Sequence, residues 1–169
     1  TQVNRFSISH YQLGAESLPY LKFPRILSET LQRVKENPQL GITKVNVGEG
    51  QFLSDGMSPP HRLSNAQDGT EYGASWMAEM YHACCVNGCE YFAYHCDFWL
   101  TDQPMLKVPA YHVAQMIKNM SGCSNVAVTS GEAEKKGNTI GAIASVDPLK
   151  KHLQVMVYNH NLESENIAE

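Results

Sequence analysis

Short apolar stretches alternate with amphipathic stretches through the first 122 residues of the chain. The apolar stretches are rich in β-branched residues and have the length of strands, whereas the amphipathic ones repeat apolar positions at helical spacing. Asn37-Pro38 and Asn87-Gly88 are typical of helix ends. In chain order, the pattern predicts a strand at Val3–Ile8, a helix at Pro24–Glu36, a strand at Ile42–Val47, a helix at Gly69–Val86, a strand at Cys89–Tyr94 and a helix at Pro109–Gly122.

The pattern changes after this third helix. Three strand-like segments follow at Val126–Thr129, Thr139–Val146 and Leu153–Asn159, separated by turn-rich segments and with no helical stretch between them. Consecutive strands joined by turns are typical of an antiparallel sheet. Residues 123–169 are therefore expected to begin a second, all-β domain.

Alternating strands and helices in residues 1–122 predict a parallel sheet covered by helices. Two architectures fit this α/β pattern. One is three consecutive units of a (β/α)8 barrel, a fold that typically needs about 250 residues, and the other is a small open doubly wound sheet. A free-standing three-stranded parallel sheet would leave both edges unpaired, which favours the barrel portion.

Composition and charge narrow the functional classes. The chain has 169 residues, of which 43% are hydrophobic and 18% charged, as expected for a soluble globular protein. Its formal charge of −4 is spread without a basic stripe, which argues against nucleic-acid binding. No apolar run reaches the roughly 20 residues needed to span a membrane. The start at Thr1 is typical of a mature product, a processed chain or an internal fragment, and it does not indicate the compartment. A secreted or periplasmic location is slightly favoured over the cytoplasm.

The five cysteines do not form a recognisable disulfide or zinc pattern. Four of them lie between Cys84 and Cys96, but their spacing lacks the two separated pairs of a zinc ribbon or finger. We interpret them mainly as reduced thiols in the core, where free cysteine behaves as a small apolar residue. Neither a metal nor another cofactor is expected.

Polar and aromatic residues directly follow each of the three strands predicted in residues 1–122. They are His10 and Tyr11 after the first strand, Glu49 and Gln51 after the second, and His95, Asp97 and Trp99 after the third. In a β/α barrel, the active site lies at the C-terminal ends of the strands. The sequence therefore predicts that these three groups meet at one end of the sheet.

Glu49 is the candidate catalytic nucleophile of this set. Carboxylates carry out glycoside hydrolysis, and an aromatic face such as that of Trp99 stacks on a sugar ring. Ordinary interpretations stay open: Glu49 as a solvated or helix-capping acid, and Trp99 as a cap on the barrel core. His10-Tyr11 also fits a plain strand end, and Asp97 fits a residue that supports the loop.

Three of these segments resemble barrel strands of a known enzyme group. Phe6-Ser-Ile-Ser-His-Tyr11 is similar to the sixth strand, and Leu40-Gly-Ile-Thr-Lys-Val-Asn-Val-Gly-Glu49 to the seventh strand, of clan A glycoside hydrolases. Family 39, the β-xylosidase and α-iduronidase group, is the most similar. Tyr91-Phe-Ala-Tyr94 with Trp99 resembles the eighth strand.

Two further segments extend the resemblance over almost the whole chain. Pro109-Ala-Tyr-His-Val-Ala-Gln-Met116 resembles the last barrel helix, and Gln154-Val-Met-Val-Tyr-Asn159 resembles a strand of the family's accessory β-sandwich. One departure is Lys44, which follows Ile42-Thr43 where the family often has its nucleophilic Glu. The resemblance therefore implies that residues 1–122 form strands 6–8 of a (β/α)8 barrel, and that residues 123–169 start a β-sandwich.

The resemblance also implies roles for the candidate residues. Glu49 would attack the anomeric carbon, His10 and Tyr11 would orient Glu49 or bind substrate hydroxyls, and Trp99 would stack on a sugar. The other predicted substrate contacts are Gln51, His95 and Asp97. The family's acid/base glutamate follows its fourth strand in an Asn-Glu pair, which this chain lacks. We therefore expect it in an N-terminal barrel segment, as part of a longer precursor or a partner chain, and expect the chain alone to be inactive.

We therefore expect the chain to be part of a retaining glycosidase that cleaves β-linked oligo- or polysaccharide with two carboxylates. One alternative is a non-catalytic homologue that binds carbohydrate or serves as a scaffold. Another is a small independent α/β domain with an unrelated role.

Overall fold

The computed structural model describes residues 4–13, 23–53, 70–94, 106–128, 140–149 and 151–160. All three predicted helices are confirmed, with ends within two residues of their predicted positions. In chain order, the elements are β1 (Arg5–Leu13), α1 (Phe23–Glu36), a short 3-10 helix (Pro38–Leu40), β2 (Lys44–Leu53), α2 (Glu71–Val86), β3 (Phe92–Tyr94), α3 (Pro109–Met120), β4 (Ser124–Val126), β5 (Ile140–Asp147) and β6 (His152–Asn159).

Strands β1 and β2 continue well past the ends predicted from sequence. Their parallel pairing shifts register once, between Ile8 and Ser9, and then continues to Leu13 opposite Leu53. The prediction that His10, Tyr11, Glu49 and Gln51 follow their strands is therefore wrong in detail. These residues lie inside the C-terminal halves of the strands, because the pairing with a neighbour keeps the backbone extended beyond the apolar stretch.

The first sheet is parallel, with β2 between β1 and β3. The connections β1 to β2 and β2 to β3 both move across the sheet in the same direction. Since such crossovers are right-handed, α1 and α2 lie on the same face. That face is apolar: Val45 and Val47 of β2 pack with Phe23 and Leu27 of α1 and with Trp76 of α2. No closed barrel is present in the part of the chain that the structure describes, so the barrel stays a prediction.

The opposite face of the first sheet, which we call the open face, is polar. Alternation along the strands gives it Ser7, Ser9 and Tyr11 of β1 and Asn46 of β2. None of the three hydrophobic clusters of described residues contains these side chains. Ser7 and Ser9 are exposed and Tyr11 is half-buried, whereas Asn46 is buried, so the described helices pack on the other face of the sheet.

Helix α2 contributes to every one of these clusters. Trp76 and Met80 face the first sheet, Ala78 packs toward the second sheet, and Met77 packs against the start of α3. All four side chains are buried. This helix is therefore apolar around most of its circumference, as expected of a central helix.

The second sheet is antiparallel in the order β4-β5-β6, as the sequence predicts for this region. Ile143 and Met156 from its inner face pack with Ala78 of α2 and Met120 of α3. Its outer face exposes the alternate apolar residues Leu153, Val155 and Val157 of β6. A β-sandwich would cover such a face with another sheet, but that assignment stays a prediction.

The cysteines at the end of α2 have a structural explanation. Gly88 adopts a left-handed conformation (φ 69°), its N–H donates to the Cys85 carbonyl at 3.3 Å, and the Cys89 N–H donates to the Cys84 carbonyl at 2.9 Å. This is a Schellman motif, in which the residues at the positions of Cys84 and Cys89 make the accompanying apolar contact. Both are free thiols, and burial raises the pKa of each.

An ion-pair cluster closes the N-terminal end of the first sheet. Glu90, just before β3, accepts from Arg5 Nε of β1 at 2.7 Å and pairs with Lys44 Nζ of β2. The Glu90 N–H also donates to Asn46 Oδ1 at 2.7 Å. One carboxylate therefore links the three parallel strands.

Replacing Glu90 with Gln should make the stability of the protein less sensitive to acid. Hydrogen bonds from Arg5 and Lys44 lower the pKa of Glu90 from 4.5 to about 2, so its stabilising effect is complete above pH 4.5 and is lost as the pH falls toward 2. Urea unfolding of both proteins across this range measures the difference. A stability difference that stayed constant down to pH 2 would contradict the assignment.

Candidate active site

Strand β2 contains an extra residue immediately before Glu49. Ile8 of β1 lies opposite Val47, but the next residue, Ser9, lies opposite Glu49, so Gly48 is skipped in the pairing. This is a β-bulge. Bulges are uncommon between parallel strands, and they are over-represented beside active sites, where they redirect a side chain.

The bulge decides which face of the sheet Glu49 occupies. Val45 and Val47 point to the helix-covered face, and simple alternation would send Glu49 to that face as well. The extra residue reverses the alternation, so Glu49 shares the open face with Ser9. Pairing with β3 shows the same shift. Val47 lies opposite Phe92, and Gly50, three residues later, lies opposite Tyr94, which is only two residues later.

Glycines on both sides of Glu49 are favoured by close packing. A Cβ at Gly48 would overlap with Ser7 Oγ on the open face. A Cβ at Gly50 would lie 3.3 Å from the Trp76 indole and 3.2 Å from the Phe92 ring on the other face. A side chain at Gly48 would therefore force Ser7 Oγ to move, and one at Gly50 would force the two rings to shift by a few tenths of an ångström.

Tyr11 is the predicted site residue that the structure brings to Glu49. Its phenol is hydrogen-bonded to the Glu49 carboxylate across the β1–β2 pair. Burial, this hydrogen bond and the nearby negative charge raise the pKa of Tyr11 to about 12. The phenol therefore keeps its proton at neutral pH and acts as a donor to Glu49.

His10 lies on the opposite face from Tyr11, as adjacent residues of a strand do. Its ring is 5.3 Å from the ring of Phe23 in α1, and its Nε2 is buried without a hydrogen-bond partner among the described residues. Burial lowers the pKa of His10, which favours the neutral imidazole. The structure thus does not bring His10 to Glu49.

The remaining predicted contacts cannot be placed as side chains. The backbone of Gln51 pairs with Tyr11, but its side chain lies outside the described part of the structure. His95, Asp97 and Trp99 also lie outside the described residues. Tyr11 and Glu49 are therefore the part of the predicted site whose geometry is defined.

Lys44, the departure from the family pattern, lies far from the C-terminal end of the sheet. It begins β2, and its side chain pairs with Glu90. Along an extended strand it is roughly 15 Å from Glu49. An acid at position 44 would therefore lie at the wrong end of the strand, so Glu49 is the better candidate.

A second polar group, which the sequence analysis missed, lies between α2 and β6. Tyr158 Oη is 2.8 Å from His82 Nδ1, Ser75 Oγ is 3.0 Å from His160 Nδ1, and His160 Nε2 is 4.0 Å from Glu79 Oε2. The spacing of Ser75, Glu79 and His82 along α2 was the available signal. They form a polar stripe at helical spacing on a mostly apolar helix.

Neither a metal-binding cluster nor a membrane-spanning helix is present among the described residues. No group of three or more His, Cys, Asp or Glu side chains is arranged to hold a metal ion. No helix is long and apolar enough to cross a membrane.

Gly48→Ala should destabilise the protein by about 1–2 kcal/mol, because the added methyl group forces Ser7 Oγ out of its position. Ser7→Ala removes that oxygen, and the Ser7 Cβ is 3.5 Å from the added methyl group, an ordinary contact. The double variant should therefore regain most of the loss in urea unfolding. An equal loss from Gly48→Ala in both backgrounds would show that this overlap does not limit the bulge.

Glu49→Gln should lower the pKa of Tyr11, because a neutral amide removes the negative charge that opposes ionisation of the phenol. NMR titration of tyrosine Cζ carbons at alkaline pH measures this, with Tyr11→Phe to identify the signal. Glu29→Gln on α1 is the matched control and should leave the titration unchanged. An unchanged Tyr11 pKa in Glu49→Gln would argue against the hydrogen bond.

Comparison with known proteins gives no relative from which to assign this site. No protein-family model and no curated protein matches the chain. The functional interpretation therefore rests on the arrangement of Glu49 and Tyr11 on the open face and on the resemblance of the strand sequences.

Proposed function

We propose that this chain carries the nucleophile half of the active site of a retaining glycosidase acting on β-linked oligo- or polysaccharide. The observation that carries the proposal is the β-bulge at Gly48, which directs Glu49 to the open face, where it meets the Tyr11 phenol. A β-bulge that redirects one carboxylate is typical of a functional site.

The chemistry assigns separate tasks to the two side chains. The Glu49 carboxylate attacks the anomeric carbon, and the glycosidic bond to the leaving oxygen breaks as the glycosyl-enzyme bond forms. Tyr11 donates a hydrogen bond that fixes the orientation of the carboxylate. Because the pKa of Tyr11 is raised to about 12, the phenol stays protonated in this role across the neutral pH range.

The order of the first sheet supports a barrel as the complete domain. Consecutive strands lie side by side, and α1 and α2 share one face, as in successive units of a (β/α)8 barrel. A doubly wound sheet instead reverses its strand order and has helices on both faces. Within the described residues, β1 and β3 are the edges of this sheet, and further strands would pair there in a closed barrel.

The acid/base carboxylate is proposed to come from an N-terminal barrel segment, in a longer precursor or a partner chain. Retaining enzymes place their two carboxyl groups roughly 5–5.5 Å apart. Among the described residues of the first sheet, the other carboxylate is Glu90, which is held in ion pairs at the N-terminal end. It therefore does not meet the requirement at Glu49.

A non-catalytic carbohydrate-binding homologue is the second candidate. The observation that favours it is the open face itself, where the small polar side chains of Ser7 and Ser9 lie near a single described carboxylate, Glu49. Such a surface can hydrogen-bond sugar hydroxyls without cleaving a bond. The two candidates differ in whether Glu49 forms a covalent bond.

Covalent trapping in the protein completed by its N-terminal barrel segment tests the proposal. A 2-deoxy-2-fluoro-β-glycoside should label Glu49, and mass spectrometry of peptides should locate the label there. Glu49→Gln should abolish labelling and lower the hydrolysis rate by about a thousandfold or more, as loss of a covalent nucleophile does. Glu29→Gln should retain both.

The results that separate the candidates are distinct. If the protein binds sugar without being labelled, and Glu49→Gln leaves sugar binding unchanged, the carbohydrate-binding homologue is supported and the glycosidase proposal is refuted. Labelling at another carboxylate would refute the assignment of Glu49.

The 169-residue chain alone should not hydrolyse aryl β-glycosides, because the proposed acid/base lies outside it. A release assay for the aryl leaving group with purified chain measures this. Addition of the N-terminal segment in trans should restore turnover. Robust hydrolysis by the chain alone would show that the acid/base carboxylate lies within the 169 residues.

A further inference from the structure

A cleft of about 340 Å³ lies between α2 and the second sheet, away from the open face. One wall is formed by Glu79, His82 and Val86 of α2, and the other by Ile140 of β5 and Tyr158 of β6. The proposed glycosidase chemistry uses none of these residues. The cleft therefore calls for an explanation of its own.

Tyr158 is held in a fixed position at this cleft. Its hydroxyl is 2.8 Å from His82 Nδ1, and the two rings meet edge to face with centroids 5.8 Å apart. The Tyr158 ring also covers Gly141 of β5 so closely that a Cβ at Gly141 would overlap with it. The ring is thus a preorganised aromatic surface in the cleft.

Glu79 supplies the formal charge of the described lining. Its carboxylate is mostly buried, with 16% of the side chain exposed, and Oε2 is 4.0 Å from Nε2 of the buried His160. Burial lowers the pKa of His82, which keeps that imidazole neutral. None of the residues that form the described lining is a lysine or an arginine. The lining therefore favours a cation over an anion.

Two other features of the lining indicate which kind of cation fits the cleft. The Asn87 side-chain amide nitrogen donates to the Ala83 carbonyl at 2.8 Å, which leaves the amide oxygen of Asn87 to act as an acceptor in the lining. Val86 and Ile140 provide apolar walls suited to a short hydrocarbon stem. A compact ammonium fits a few point acceptors and one ring, whereas a guanidinium is best recognised by a bidentate partner.

We infer that the cleft between α2 and the second sheet binds a primary ammonium group on a short alkyl stem. Glu79 supplies the negative charge, Tyr158 an aromatic wall, and Val86 with Ile140 the apolar walls. The group can belong to a free alkylamine or to a lysine side chain of a peptide. This site is independent of Glu49 and does not depend on the glycosidase proposal.

Titration of the 169-residue chain with n-butylammonium chloride, followed by 1H–15N NMR, tests the inference. Saturable shifts should appear in the amides of α2, β5 and β6. The neutral isostere n-butanol should bind about tenfold more weakly, because it lacks the charge attracted by Glu79. Equal binding of n-butanol, or no saturable shift with the amine, would overturn the inference.

Variants separate a specific charge effect from unfolding. Glu79→Gln should weaken amine binding about tenfold. Val86→Lys should weaken it to a similar extent by placing a cation at the cleft, and should fold normally because Val86 is 73% exposed. Leu149→Lys, at a residue 92% exposed in the turn between β5 and β6, is the matched control and should bind as the wild type does. Unchanged binding in Val86→Lys would exclude this cleft as the site.

A second titration distinguishes the two sources of the ammonium group. The peptide acetyl-Gly-Lys-Gly-amide is compared with its norleucine analogue. Selective binding of the lysine peptide identifies a lysine side chain as a suitable ligand. Binding of n-butylammonium alone identifies a small free amine. Both results support the site, whereas equal binding of the two peptides would contradict it.

Discussion

The fit of the Trp76 indole against Gly50 is the contact on which the arrangement of the first sheet depends. Trp76 is fully buried, and its ring lies 6.4 Å from that of Phe92 and 6.1 Å from that of Tyr94, measured between centroids. A Cβ at Gly50 would lie 3.2 Å from the Phe92 ring and 3.3 Å from this indole, so both would have to shift by a few tenths of an ångström. Because Gly50 directly follows the bulge, the packing of α2 holds in place the backbone that carries Glu49.

Helix α2 connects this constraint with the second sheet. The same helix that places Trp76 over the first sheet presents Ala78 to the apolar cluster beneath β5 and β6. Its remaining side carries Glu79 and His82, which face β6 through Tyr158 and His160. A central helix usually has little room for polar residues, since an unpaired buried polar group costs about 1–3 kcal/mol. Their mutual contacts explain how this stripe is accommodated.

The periodicity of apolar residues was sufficient to predict the helices and the strand pairing, but it was insufficient to predict the geometry around Glu49. Repeating apolar positions predict α1 and α3, and the alternation of strands with helices predicts parallel pairing, because both signals are local. The bulge is different: nothing in Val47-Gly48-Glu49-Gly50 specifies which residue is skipped until Ser7 and Trp76 pack on the two faces. The opposite orientations of His10 and Tyr11 could have been predicted from alternation, had the strand been extended past Ile8.

Asn46 gives a separate physical reason to expect a polar protein group beside this part of the first sheet. Its side chain is 1% exposed, Oδ1 accepts from the Glu90 N–H at 2.7 Å, and Nδ2 has no hydrogen-bond partner among the described residues. An apolar residue of similar size would avoid the cost of that buried donor, about 1–3 kcal/mol. The cost is offset if a polar group outside the described residues accepts from Nδ2. Because Nδ2 is already buried, that acceptor is expected from packed protein, such as a further barrel strand, and not from a carbohydrate bound from solvent.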